Sequence, residues 1–377
     1  MSQRERHTDI GVELLRVVGC LLVICAHVRP PYLLDGGALD SGRLLITCLV
    51  ADGVAVFWLI TGFFLFRTKS YPGLLRRSVR TIALPLLAII LLTFYFWGFV
   101  IDGLPLAQSV THSVDDYRAL LTSLLSWDDP FQQLGHIWYL FVYLLLMVLF
   151  PFLRGMVSYL DERPRRWRVF LVASACLLLV NDGVDNALAG FSHHAFGGVT
   201  CAAIYVLWGH WLYQHRSSLR RRSLATGAVV AFLAINVLRM MVQRWLILGG
   251  SPSVHPLLWY TSFGLASALC LATACLSLVP PRGEHDREPG LALRGIAFLG
   301  SCTFVVYLVH KPVIQFLDAR GVTSALIGSV TGLLGTGSML SDVALVLSEA
   351  AVVAAISLVV TLLIKLLSLC ARHLASR

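Results

Sequence analysis

Ten long apolar runs recur along this chain, at approximately 10–28, 44–66, 81–101, 135–153, 168–181, 198–214, 223–247, 257–279, 295–314 and 342–368. Most are close to the roughly 20 residues that a helix needs to cross the hydrocarbon core of a bilayer. Little else can use so many apolar segments of that length. The expected fold is therefore all-α: a polytopic integral membrane protein with about ten transmembrane helices, the run at 168–181 being the weakest of them. Composition agrees, with 57% hydrophobic residues, 14% charged residues and a mean hydropathy of +0.76, outside the range of soluble globular domains.

Orientation follows from the basic residues, because Lys and Arg are retained on the cytoplasmic side of inserted helices. With the N-terminus inside, the cytoplasmic stretches hold Arg4 and Arg6, the loops Arg67 to Arg80, Arg154 to Arg168, Arg216 to Arg222 and Arg282 to Arg294, and finally Arg372 and Arg377. Together these carry 21 of the 30 Lys and Arg residues. The opposite loops hold Arg29, Arg43, Arg118 and Arg320 beside the acids Asp102, Asp115, Asp116, Asp128, Asp129, Asp182 and Asp185. Both termini are expected in the cytoplasm. The asymmetry accounts for most of the formal charge of +9, so the basic balance does not call for nucleic acid as a partner.

The first run is long and interrupted by polar residues, and Val28-Arg29-Pro30 stands where a secretory signal would have a small-residue cleavage site, so it is expected to be a retained helix. The nine cysteines lie almost all in apolar runs and form no CxxC pair, which indicates neither a disulfide framework nor a zinc site. No internal repeat, long linker or appended soluble domain is evident, so residues 1–377 read as a single membrane domain. The longest outer loop runs from about Asp102 to Leu134, with Asp115-Asp116-Tyr117 and Trp127-Asp128-Asp129. It can help form a binding surface or serve topology alone.

Ionisable residues inside membrane segments are costly to bury and so are functional candidates. The first helix carries Glu13, Arg16 and His27. Glu13 and Arg16 are three apart and suited to an intrahelical ion pair. Arg16 and His27 are eleven apart, which leaves about 20° between them around the helix and about 16 Å along it. A cation near the cytoplasm and an imidazole three turns deeper could hold an anionic cofactor at one end and its reactive group at the other. The guanidinium suits phosphate oxygens and the imidazole can act as general base. Alternatively, Arg16 snorkels to the headgroups and His27 caps its helix.

Other motifs lie further along. They are Asp52-Gly-Val-Ala-Val-Phe-Trp-Leu-Ile-Thr-Gly-Phe-Phe-Leu, Arg77-Ser-Val-Arg80, His136-Ile-Trp-Tyr-Leu and Tyr307-Leu-Val-His310. With Arg16-x10-His27, in that order and topology, they resemble acyltransferase family 3, the polytopic enzymes that O-acylate surface polysaccharides and related acceptors. The stretch from Asp52 is similar to the family's second-helix motif, Phe-Phe-x-x-Ser-Gly, with Trp58 and Thr61 as departures, and Lys311 separates His310 from Pro312.

The resemblance implies an acyl-CoA donor, most commonly acetyl-CoA, entering from the cytoplasm with Arg16, Arg77 and Arg80 near its phosphates. It implies His27 as the base that deprotonates an acceptor hydroxyl of a cell-envelope glycan or glycolipid. No permanently bound cofactor and no metal is required. The implied location is a cell membrane, the cytoplasmic membrane of a bacterium. A carboxylate behind the base would orient it, and Glu349 and Asp52 are the two candidates. His136 and His310, with Trp138 and Tyr139 beside the former, could line an acceptor pocket or anchor the helix ends at the interface. Arg77 and Arg80 could equally serve topology.

His193-His194 with Asp182 and Asp185 fits no defined metal site, and Arg239 and Arg244, near the end of the seventh run, receive no role. The chief alternative to an enzyme is a transporter or flippase for a glycan or lipid-linked intermediate, and a third is a non-catalytic sensor on the same scaffold. Transporters often carry inverted repeats or Gly/Pro-broken helix pairs, which are not evident in this sequence. Oligomeric state is open.

Overall fold

The computed structural model of the chain describes residues 9–34, 37–126, 134–187, 198–219, 221–250, 257, 261–279 and 290–375. It is 85% helix with no strand among the described residues. The helices are α1 (Ile10–Val28), α2 (Ser41–Val50), α3 (Gly53–Leu65), α4 (Tyr71–Ser78), α5 (Leu84–Val100), α6 (Leu106–Ser109), α7 (Val114–Ser126) and α8 (Trp138–Val148). They continue as α9 (Phe150–Asp161), α10 (Pro164–Ala187), α11 (Gly198–Gln214), α12 (Arg222–Leu248), α13 (Ser262–Leu278), α14 (Leu291–Ala319), α15 (Val322–Leu334) and α16 (Met339–Ala375).

Among the described residues, six stretches are long and apolar enough to cross a membrane: α1, α2 with α3, α4 through α5, α12, α14 and α16. The pair α8 and α9, interrupted at Leu149, would be a seventh. The remaining three of the ten expected runs fall in α10, which carries Arg165, Arg166 and Arg168 in its first turns, and in α11 and α13, each only 17 residues long. Helix length and apolarity among the described residues thus do not confirm ten full-length spans. Two features were not expected. The apolar helix α15 lies in what read as a loop, and the outer loop from Asp102 contains the 13-residue α7. Ser113 explains its start: its hydroxyl accepts from Asp116 N at 3.2 Å while the Asp116 carboxylate accepts from Ser113 N at 2.8 Å, a capping box.

The chain gathers into two compact units, one of residues up to Ala26 with Pro31–Thr68 and Pro151–Thr303, the other of His27–Pro30, Lys69–Phe150 and Phe304 onward. In the first unit, α3 lies against α11 and α12 against α13. Glycine sets the α3–α11 approach: a Cβ at Gly62 would overlap the Val206 carbonyl oxygen, and one at Gly209 the Leu59 carbonyl oxygen. Backbones this close are the small-residue packing that replaces hydrophobic association inside a bilayer. Helix α12 is inside-out by the standards of a soluble protein. Asn236, Arg239 and Gln243 are fully buried, whereas Val230, Leu233, Leu238 and Met241 are exposed. Apolar side chains face outward where lipid is the solvent, and the polar stripe at i, i+3 and i+7 turns in.

In the second unit, Tyr71 at the start of α4 donates to the Val148 carbonyl at the end of α8, 2.9 Å away. The π-helical turn Val79–Ala83 joins α4 to α5 without a break. Pro85 follows it, and the missing N–H accounts for the local loss of the α ladder. Exposed Leu84, Leu87, Leu91, Leu92 and Phe96 give α5 a lipid-facing side. Pro312 sits inside α14.

Candidate functional site

Pro312 has no N–H, so the carbonyl four residues before it, that of Leu308, loses its helical partner. His136 fills the gap: its Nε2 lies 3.3 Å from Leu308 O. Since a carbonyl only accepts, Nε2 carries the proton and, in the neutral ring, Nδ1 is a bare lone pair. His310 is fixed the other way, its Nδ1 donating to Tyr307 O at 2.7 Å and leaving Nε2 as the lone pair. The Tyr307 hydroxyl donates to the His136 carbonyl, closing the link between the turn before α8 and α14.

His27, in the last turn of α1, completes the group. Its ring centroid lies 5.0 Å from that of His310 and 6.3 Å from that of His136, and the latter two are 4.6 Å apart. His310 and His136 are buried, with 0% and 2% exposure. Among the described residues, neither His136 Nδ1 nor His310 Nε2 has a hydrogen-bond partner. Two acceptor nitrogens in an apolar setting are costly unless something donates to them. The arrangement is suited to holding a hydroxyl and taking its proton. Among the described residues no three or more His, Cys, Asp or Glu side chains are placed to hold a metal ion.

Tyr139 is buried in α8, its ring 5.7 Å from that of Tyr307, and Trp138 opens the same helix half-buried. The structure therefore brings His27, His136, His310 and Tyr139 into one neighbourhood. Glu349 is buried in α16, with 6% exposure, and makes no hydrogen bond or ion pair among the described residues. Arg77 lies in the last turn of α4 and Arg80 in the π-helical turn; both side chains are exposed.

In the first unit, Arg16 Nη1 and Glu13 Oε1 form the intrahelical pair at 2.8 Å. Gly300 makes room for it, since a Cβ there would overlap the Glu13 carboxylate. Asp52 stands at the break between α2 and α3, with both its oxygens bound by Arg239 Nη1, at 3.1 and 2.9 Å. The same guanidinium donates through Nε to Leu257 O at 2.6 Å and through Nη1 towards Cys48 O in the last turn of α2, at 3.5 Å. Exposure is 0% for Arg239 and 2% for Asp52.

Two residues have partners that their own helices do not announce. Arg239 shares a face with Asn236 and Gln243, a periodic polar stripe that could have marked it as buried and paired. Tyr307 precedes His310 by three residues and so shares its face, but its bond to His136 depends on another helix. Asp182 accepts from Ser262 N at 2.9 Å, which ties it to the start of α13. His193, His194 and Trp127-Asp128-Asp129 lie outside the described residues.

In comparisons with known proteins, residues 9–367 match the family model of an acyltransferase domain, that of acyltransferase family 3. No curated protein and no solved structure matches the chain.

Proposed function

Because the chain belongs to acyltransferase family 3 and is a membrane acyltransferase, we propose that it transfers an acetyl or other short acyl group from acyl-CoA to a hydroxyl of a cell-envelope glycan or glycolipid. The observation that carries this reading is the meeting of His27 with two buried imidazoles, each with one unpartnered ring nitrogen that can accept a hydrogen bond. In the proposed step, His27 takes the proton of the acceptor hydroxyl as its oxygen attacks the thioester carbonyl. Collapse of the tetrahedral adduct breaks the C–S bond, and the departing thiolate takes a proton, giving an ester and free CoA. His136 and His310, with Trp138 and Tyr139, are proposed to hold the sugar through hydrogen bonds and aromatic faces.

Glu349 is the proposed carboxylate that steadies the protonated imidazole, supported by its burial in the unit that holds His27. Asp52, whose oxygens are bound by Arg239, is proposed to position α3 instead. Arg16 is a proposed contact to donor phosphates, and the exposed guanidiniums of Arg77 and Arg80 carry the same proposal on the strength of their motif. The proposed setting is a bacterial cytoplasmic membrane, crossed ten times, with both termini inside.

The test is incubation of purified protein with radiolabelled acetyl-CoA and an envelope glycan extract. The wild type should label the glycan, and His27→Ala should lose about 10²- to 10⁴-fold of that rate, the usual contribution of a general base. A wild type that labels nothing yet moves glycan across vesicles would overturn the enzyme reading in favour of a transporter.

A further inference from the structure

The close approach that Gly62 and Gly209 permit brings the C-terminal ends of α3 and α11 side by side. There the Tyr213 ring lies 5.2 Å from that of Phe63 and 6.0 Å from that of Phe64. Three guanidiniums converge on these rings. Arg67 is 4.3 Å from the Tyr213 centroid and 5.4 Å from that of Phe64, Arg216 is 4.0 Å from Tyr213, and Arg16 is 5.2 Å from Phe64.

Their compensation is incomplete. Arg16 has Glu13 at 2.8 Å, Arg216 has only the longer 3.9 Å approach of Asp9, and Arg67 has no carboxylate partner among the described residues. Arg67 and Arg216 approach the same ring so closely that their charges lie within roughly one Debye length, about 8 Å, of each other. Topology requires basic residues on one side of the membrane, but it does not require them to meet on an aromatic platform. Like charges held together beside aromatic faces suit a ligand that has both phosphates and a flat ring.

We infer that Arg67 and Arg216, with Phe64 and Tyr213 and next to Arg16, form the site for the nucleotide end of acyl-CoA, its phosphates on the guanidiniums and its purine against the rings. This rests on the proposed acyl-CoA donor and adds residues that neither spacing nor motif singled out. Phosphate is also the chemistry of an anionic lipid headgroup, and the measurement must separate the two sources.

The full-length protein is reconstituted in nanodiscs of phosphatidylcholine, and in others containing phosphatidylglycerol, and equilibrium binding of CoA and of 3′-dephospho-CoA is measured, together with the phosphatidylglycerol that stays bound to each variant in detergent. Arg67→Gln and Arg216→Gln should each weaken CoA binding roughly tenfold or more, the size of one lost charge-assisted hydrogen bond. For at least one variant the preference for CoA over 3′-dephospho-CoA should shrink. In turnover assays KM for acetyl-CoA should rise with kcat little changed, the mark of lost ground-state binding. Arg67 is exposed and Arg216 one-third exposed, so both variants should keep the wild-type Tm.

Unchanged CoA affinity in both variants overturns the inference. So does a loss confined to phosphatidylglycerol retention, which would make the cluster a lipid site. If the wild type itself binds no CoA in either lipid, the acyl-CoA reading fails along with it. If the wild type binds and turns over acetyl-CoA while the variants match it, only this inference fails.

Discussion

Arg239 holds two helix ends together from a single side chain. Its Nη1 donates to both oxygens of Asp52 at the start of α3 and lies 3.5 Å from the Cys48 carbonyl, in the last turn of α2. Both ends of that break carry backbone groups without helical partners, and lipid offers them none. A charge buried this fully is tolerated only while its partner is present. Asp52→Asn should therefore destabilise the protein by about 3–5 kcal/mol, the usual cost of leaving one charge of a buried pair. Adding Arg239→Met to it should recover part of the loss. Thermal unfolding of the purified single and double variants measures both effects; equal stability of Asp52→Asn and wild type would show that the pair is not structural. His136 follows a similar logic at lower charge, as its ring answers a carbonyl that Pro312 leaves without a donor. In each case a side chain satisfies a backbone group that an interrupted helix exposes.

At the scale of the element, the decisive feature is how closely α3 and α11 can lie. Gly62 and Gly209 each face a backbone carbonyl of the other helix with no room for a Cβ. Gly209→Ala should force the helices apart and cost about 1–3 kcal/mol, as for other overpacked interiors. Because Tyr213 and Phe64 lie at the ends of the same two helices, the shift should be felt at the guanidinium cluster too. Thermal unfolding and CoA binding of this variant report the two effects, and wild-type values for both would show that the contact is not tight. Gly227, in α12, serves as the control: a Cβ there would meet nothing within 4 Å, so Gly227→Ala should be neutral or slightly stabilising. Sequence could suggest that a glycine in an apolar helix packs closely, but it could not say which glycine faces a backbone and which faces open space.

The whole molecule is a multi-pass membrane protein whose helices turn apolar residues outward along α5, α12 and α16. If both termini are cytoplasmic, a fluorescent protein fused to either end should fluoresce in a bacterial host while a periplasmic reporter at either end stays inactive; an active periplasmic reporter at one end would show an odd number of crossings. The distribution of Arg and Lys already carried that expectation, because insertion sorts charge segment by segment. The all-helical class was equally legible, since each apolar run specifies its own backbone hydrogen bonds, and so were the Glu13–Arg16 pair and the presence of His27 on the first helix. What sequence could not place were partners far apart along the chain. Asp52 and Arg239 are 187 residues apart, and His136 and Leu308 are 172 apart. Helical periodicity reports which residues share a face of one helix and is silent on which helix that face will meet. That choice belongs to the tertiary structure, where glycines set how near the backbones come and interrupted helices leave carbonyls and charges that only a distant side chain can satisfy.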